Sequence, residues 1–387
     1  MARYNQRQAG DPLGLFTAAA ASRPEFQIGY SAGRYLLFCF MGSSAAPGWA
    51  EAMRCLTERR AVFDDRFASF FGITIDRQTD RSRATIPDMM PGIRFLIDGD
   101  YSASRANGAV PVDATPDNAP AVPYRRFWML VDPMLRVIAT LPFAGPDGGA
   151  GAALDLLAAQ PPLERFTGIA QQAPILYLPR VFEPALCDEL IARYRQHGGV
   201  VSGFMRAVDG KTVGAHDPAF KSRRDWVIED APTIDMVKNR ILRRVVPEIA
   251  KAHMFTATRM ERYLVACYDA AENGHFAPHR DNTTPGTAHR RFAVSVNLND
   301  DFDGGAVSFP EFGPQGYRAP KGGAVVFACA LLHKVSPVTA GARYAFLPFL
   351  YDESAARVRE ANLHTVENAG ALPEGLDPQR RIGSSGS

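Results

Sequence analysis

The sequence predicts an α+β chain of two domains, an α/β unit followed by a β-rich unit. Three observations carry this. The chain has 387 residues, enough for two separate cores. Apolar strand-like runs alternate with helical spacing over the first 160 residues. From about residue 260 to 350 short strands recur, with Gly, Pro and Asp between them. That punctuation marks a sandwich or barrel, whose closed form with a mouth is a double-stranded jelly roll.

Composition narrows the class further. The chain is 46% hydrophobic and 22% charged, which fits a globular enzyme or binder. Its 43 basic and 41 acidic residues leave a net charge of +2. Such a balance provides no pull toward nucleic acid or an anionic membrane, and neither partner is expected. No apolar run reaches the roughly 20 residues needed to cross a bilayer. The N-terminus has no hydrophobic signal core, so a cytoplasmic protein is expected. Cys39, Cys55, Cys187, Cys267 and Cys329 are scattered and odd in number. They form no C-x-x-C, which argues against a disulfide framework and fits a reducing compartment. The terminal Gly-Ser-Ser-Gly-Ser is left out of the fold reading.

In the first domain, residues 1–162, the run 34–41 suits a buried strand. Residues 49–60 have helical spacing; 70–75 and 93–97 read as strands. Residues 127–131 and 135–141 read as a hairpin around Asp132-Pro133, and 152–159 as a helix. The Pro- and Ala-rich stretch 109–122 is expected to be a surface loop. A linker follows, 163–174, opened by Pro161-Pro162.

The second domain, 175–355, opens with a strand at 175–178 and a helix from 182 to 196 ended by Gly198-Gly199. Residues 203–224 are polar and basic and read as a loop. Within it, His216-Asp217 and the cluster Lys221, Arg223 and Arg224 are expected to face solvent; the sharper option for the cluster is a lid contacting an anionic group of a substrate. One long helix is expected over 233–254, with Ile234, Val237, Ile241, Val245 and Ile249 as its core stripe. Strands follow at 260–268, 276–281, 291–298, 306–309, 324–329 and 343–350, then a tail, 356–387.

The chemistry concentrates between Tyr268 and Arg343. His279 and Asp281 are two apart, so in an extended segment both side chains share a face. An imidazole beside a carboxylate is half of a metal site. His333 arrives 52 residues after Asp281, at the end of the apolar run 323–328. Two His and one carboxylate, with the other coordination positions open, suit a non-haem Fe(II) oxygenase. Arg343 follows ten residues later, and its planar fork suits the distal carboxylate of a dicarboxylate. The plainer readings are a polar loop pair for His279-x-Asp281, a structural ion pair for Arg343 and half-buried packing for Tyr268.

The first domain resembles the peroxiredoxin branch of the thioredoxin-like fold over about residues 10–160. The likeness rests on the run after Arg34, on Gly72-Ile73-Thr74-Ile75-Asp76, and on Arg126 through Asp132-Pro133. That family keeps a reactive cysteine in the turn after its first strand. Here the turn reads Ala46-Pro47-Gly48-Trp49, so Trp stands where the nucleophile belongs. Arg126 matches the arginine that activates that thiolate, and an arginine without its thiolate performs no peroxide chemistry. Cys39 and Cys55 are expected to be core cysteines. The domain is expected to be non-catalytic, a scaffold or docking module.

The second domain resembles the 2-oxoglutarate and Fe(II)-dependent oxygenases, nearest the prolyl 4-hydroxylase-like branch, over about 175–352. The matching elements are Tyr268, Gly274, His279-x-Asp281, Asn299, Gly304-Gly305, Phe309-Pro310, Lys321-Gly322, His333 and Arg343-Tyr344-Ala345. One departure is Asn297-Leu298-Asn299, where the family often has Tyr-Leu-Asn. The resemblance implies a double-stranded β-helix with flanking helices. It implies His279, Asp281 and His333 on Fe(II), 2-oxoglutarate bound by Arg343 with Tyr268, O2 as co-substrate and ascorbate as a candidate reductant. The implied reaction hydroxylates an unactivated C–H bond of a protein, peptide or small molecule, with release of succinate and CO2.

Other residues carry weaker expectations. His275 is read as supporting or exposed, His289 and Arg290-Arg291 as a substrate contact or a solvated turn, and Asn282 as a candidate for the mouth of the site. Two further functions stay open: a sensor that binds Fe(II) and 2-oxoglutarate without turnover, and a thiol-redox binding protein acting through the first domain. Oligomeric state is not read from the sequence.

Overall fold

The structure, a computed structural model, describes residues 2–21, 23–76, 88–116 and 122–366. It divides into two compact units, Met1–Gln172 with Pro310–Pro314, and Ala173–Phe309 with Gln315–Ser387. Among the described residues no helix is long and apolar enough to cross a membrane.

The first unit is built on a seven-stranded mixed sheet. Its order is Arg23–Gln27, Thr17–Ala20, Ile93–Ile97, Ala68–Thr74, Tyr35–Gly42, Phe127–Val131, Val137–Pro142. The three middle strands are parallel. Every residue of Tyr35–Gly42 and Ala68–Thr74 is buried, and apart from Ser69 and Thr74 both strands read as apolar runs. The parallel step between them needs a crossover, and the helix Trp49–Glu58 supplies it. That helix and Ala150–Ala158 cover one face of the sheet around Phe70, Phe95 and Trp128.

Three features of this unit differ from expectation. The Thr17–Ala20 and Arg23–Gln27 pair is an edge hairpin with little periodicity to betray it. The helix Ser102–Asn107 is only six residues long, started by Asp98, whose carboxylate accepts from the amides of Ala103 and Ser104. The stretch expected as a surface loop at 109–122 instead buries Ala109, Val110 and Ala114. Its Pro and Asp content reflects turns, while the small apolar residues pack with Tyr101. Residues 117–121 of that stretch lie outside the described residues.

The second unit holds a larger and a smaller antiparallel sheet. The larger follows Arg259–Glu261, Phe349–Tyr351, Phe292–Asn297, Ala342–Phe346, Leu264–Asp269, Arg224–Val227, Val200–Val201, with Ala324–Ala328 beside Phe292–Asn297 and Leu176–Leu178 beyond it. The smaller follows Lys221–Ser222, His275–His279, His333–Val335, Val307–Ser308, Gly316–Tyr317. Helices Pro184–His197, Ala231–Arg244 and Val246–His253 pack on the larger sheet through Leu190, Ile234, Val237, Ile241 and Ile249.

Four expectations are corrected here. Residues 203–224 are not a loop: Phe204–Val208 and Lys211–Ala215 form a hairpin, followed by the strands Lys221–Ser222 and Arg224–Val227. The signal was Asp209-Gly210, both at positive φ, a two-residue hairpin turn. The single helix over 233–254 is two, broken at Val245, because Pro247 has no N–H to continue the ladder. The strand at 343–350 is likewise interrupted at Leu347-Pro348. Residues 353–362, partly assigned to the tail, form a helix capped by Asp352.

Candidate metal centre

His279 ends the strand His275–His279 and His333 begins the strand His333–Val335; the two are direct partners across the antiparallel pair. Their ring centroids lie 4.2 Å apart. Asp281 sits just past the strand end, its backbone N–H donating to the Cys329 carbonyl at 3.0 Å. One ligand atom from each of His279, Asp281 and His333 lies within 4.8 Å of the others.

His279 and Asp281 converge at the end of a strand whose regular alternation is broken. Register slips between Phe276 and His279, around Ala277-Pro278. This bulge puts residues three apart on one face, so the Phe276 ring stacks on His279 at 3.5 Å and 19°. His275 is turned away; its ring nitrogens face the carbonyls of Asn273 and Ala219.

The donor chemistry fits a divalent cation. The carbonyls of Ala277 and Leu331 can only accept, so Nδ1 of His279 and Nδ1 of His333 donate to them, at 2.8 and 3.0 Å. Each Nε2 is left with its lone pair toward the Asp281 carboxylate, 3.6 Å from His279 and 3.3 Å from His333. Burial pushes His333 down to about 4, with His279 adding to the effect, so it is neutral near pH 7. Burial alone would raise the Asp281 carboxyl, but His333 and His279 hold it well below the carboxylate range. Three electron-rich donors converging in a buried place repel one another unless a cation sits among them.

Beside this cluster lies Arg343, on Ala342–Phe346 and directly across from Tyr268. Both are 2% exposed. Nε of Arg343 donates to Asn297 Oδ1 at 3.0 Å and Nη2 to Ser295 Oγ at 2.7 Å. Among the described residues no carboxylate pairs with it, and burial lowers its pKa. A buried guanidinium held only by neutral groups calls for an anionic ligand. Gly305 makes room: at φ +62°, its absent Cβ would lie 3.1 Å from Arg343 Cδ. One cavity between the two sheets is lined by the triad, Arg343, Tyr268 and an apolar wall that includes Phe276, Phe327 and Phe349.

Other sequence candidates are placed differently. His216 and Asp217 are exposed, and Asn282 is half-buried. His289 and Arg290 are neither a solvated turn nor open to substrate. His289 is 1% exposed. Its Nε2 lies 2.9 Å from Glu261, to which Arg290 Nε donates at 2.7 Å. Lys221 and Arg223 are also not a solvated face, being 6% and 5% exposed. Strand alternation turns Arg223 and Asp225 inward, while Arg224 points out to Glu272. The Arg223-x-Asp225 spacing was the available signal for an inward pair. Cys39, Cys187, Cys267 and Cys329 are buried, Cys55 is half-buried, and all five are free thiols.

Residues 263–351 match the 2OG-Fe(II) oxygenase superfamily. A PKHD-type hydroxylase of Bordetella pertussis is 31% identical over 147 residues, covering 35% of this chain and 63% of that protein. The chain therefore spans less than two thirds of the length of that relative. Among solved structures, a Pseudomonas putida prolyl-4-hydroxylase is 14% identical, with 52% of this chain and 98% of that one covered at a TM-score of 0.33. A Xanthomonas campestris peroxiredoxin Q is 18% identical, with 37% and 90% covered at 0.30.

Proposed function

From the premise that residues 263–351 are a 2OG-Fe(II) oxygenase domain, with Fe(II), 2-oxoglutarate and O2 as its cofactors, we propose that this chain is a hydroxylase acting on an unactivated C–H bond. The observation that carries the reading is the pairing of two buried sites in one cavity. One is a His-Asp-His cluster whose ligand atoms lie within 4.8 Å of one another; the other is an arginine with no carboxylate partner among the described residues. We read the two sheets as a double-stranded β-helix, and residues 163–174 as the linker between the domains.

His279, Asp281 and His333 would hold the metal through Nε2, a carboxylate oxygen and Nε2. When bound, Fe(II) would let O2 act as the oxidant, one oxygen atom going to 2-oxoglutarate as it becomes succinate and CO2 and the other turning C–H into C–OH. Arg343 anchors the distal carboxylate, oriented by Asn297 and Ser295. Tyr268 adds a hydroxyl beside that anchor. Phe276, Phe327 and Phe349 keep water from the reacting bond. An amino-acid side chain in a peptide is our candidate substrate class.

The test is succinate formation from 2-oxoglutarate by the iron-loaded full chain, with bound metal measured in parallel. His279→Ala or Asp281→Ala should lose both. Wild-type turnover in either variant overturns the ligand assignment. Metal and 2-oxoglutarate binding with no turnover on any peptide or small-molecule candidate favours the sensor reading instead.

A further inference from the structure

The same cavity is walled by more positive charge than its carboxylates can neutralise. Arg223 and Arg262 both line it. Arg223 donates from Nη2 to Asp225 Oδ2 at 2.6 Å and to Ser202 Oγ at 3.2 Å, and from Nη1 to Tyr268 Oη at 3.3 Å. Its Nε is buried without a partner. Arg262 reaches the same Asp225 oxygen at 3.4 Å. Ser202 Oγ donates to that oxygen as well, at 2.5 Å. Lys221 Nζ donates to Ser202 Oγ at 2.7 Å and to the Gly203 carbonyl.

One carboxylate thus serves the whole cluster. Glu261 is not available to share the load, being engaged by His289, Arg290 and Arg359. Burial pulls Lys221 well below the usual lysine range, with Arg223 adding to the effect. Arg262 is lowered to about 10 by burial and by Arg223, and stays charged at neutral pH. Two arginines therefore face one carboxylate, and Arg343 is a third cation beyond them. Arg223 holds Asp225 more closely, so Arg262, its side chain 21% exposed, is the less well matched, and a bound anion is the natural complement of such a partly buried cation.

In the proposed reaction the distal carboxylate of the co-substrate is assigned to Arg343, which leaves Arg223 and Arg262 with Asp225 alone. We infer that the substrate oxidised in this cavity carries a carboxylate of its own, held by Arg223 and Arg262, with its apolar body against Leu347, Pro348 and Phe349. This rests on the oxygenase reading and narrows its substrate class to acids: a free acid, or a peptide with an acidic residue or free C-terminus at the site. Phe349 lies beneath the Arg262 guanidinium, its ring 5.5 Å away, so charged and apolar contacts adjoin.

The test uses the full chain with Mn(II) in place of iron and saturating 2-oxoglutarate, followed by calorimetry. The probes are two matched pairs, N-acetylproline with its amide and N-acetylleucine with its amide. In the wild type at least one acid should bind ten-fold or more tightly than its amide. Arg262→Gln should erase that preference while 2-oxoglutarate affinity stays within about twofold. Arg223→Met should do the same, and if it fails to fold Arg262→Gln decides alone. Equal binding of acids and amides, no binding of either acid, or an intact preference in Arg262→Gln overturns the inference. Loss of 2-oxoglutarate binding in a folded Arg223→Met assigns Arg223 to the co-substrate and also overturns it. Failure of the wild type to bind 2-oxoglutarate sinks the oxygenase reading first, a separate and visible outcome.

Discussion

Asn297 Oδ1 accepts a hydrogen bond from Arg343 Nε at 3.0 Å, while its own Nδ2 donates to the Ala319 carbonyl at 2.6 Å. The amide therefore aims the guanidinium, at a position where a tyrosine was the family expectation. Asn297→Ala should weaken 2-oxoglutarate binding about tenfold, the scale of one hydrogen bond to a charged group. KM for 2-oxoglutarate should rise with kcat nearly unchanged. An unchanged KM would show that Arg343 is held well enough without it.

Arg343→Met should weaken 2-oxoglutarate binding by more than about 100-fold, since a charge-assisted anchor is removed from a buried site. Arg343→Lys should recover only part of this, because a point charge cannot reproduce the planar fork. Metal stoichiometry should stay at the wild-type level in both, which separates the anchor from the metal cluster.

Metal removal should be felt as stability. A ligand present at about 100 times its Kd stabilises by roughly 2.7 kcal/mol, so chelation should lower Tm by several degrees. His333→Ala and Asp281→Ala should show no such drop, having no metal to lose. An equal drop in Asp281→Ala would mean the chelator acts elsewhere.

Glu261 makes a pH prediction. Burial by itself would raise its carboxyl, but Arg290 and His289 hold it well below the ordinary range. A depressed folded-state pKa contributes stability above the unfolded value, about 4.3, which is lost as pH falls below it. Glu261→Gln should cost about 3–5 kcal/mol at pH 7, the scale of breaking a buried pair. It should also flatten the acid limb of stability. Urea unfolding at pH 7 and pH 3.5 checks both. A wild-type slope with pH in Glu261→Gln would assign the acid limb to other carboxylates.

The first unit should consume no peroxide. Trp49 occupies the turn and is 6% exposed. Arg126 donates to the carbonyls of Met41 and Pro47, and its guanidinium stacks on Phe143 at 3.7 Å. Burial drives the Cys39 thiol far up, away from the reactive thiolate. Peroxide consumption by the full chain should match that of Cys55→Ser. A loss in Cys55→Ser would give the half-buried Cys55 a redox role.

Local chemistry was legible in the sequence where it survives as a short pattern. His279-x-Asp281, His333 and Arg343 stand out because two of the chain's 8 histidines, a carboxylate and an arginine fall beside apolar runs. The central strands of the first unit stand out because burial on both faces makes them mostly apolar, with only Ser69, Thr74 and Arg94 as polar exceptions. The hairpin Phe204–Ala215 had a signal in Asp209-Gly210, obscured by its polar strands. Arg223 had a signal only in its spacing from Asp225, and the fate of Glu261 and His289 had none, since a charged residue reads as solvated until its partner is known.

By itself, then, the sequence determined the residue types able to bind a metal and a dicarboxylate, and the alternation that makes strands. Both follow from side-chain chemistry and backbone period, which are local. Only the tertiary structure decided that His279 faces His333 across two strands, that a bulge lays Phe276 on His279, and that Arg343 meets Asn297 rather than a carboxylate. It also decided that two further arginines share one aspartate at the same cavity. Those relations join residues dozens of positions apart. They depend on register and on the cost of leaving buried charge unmatched, and neither is written in any single segment.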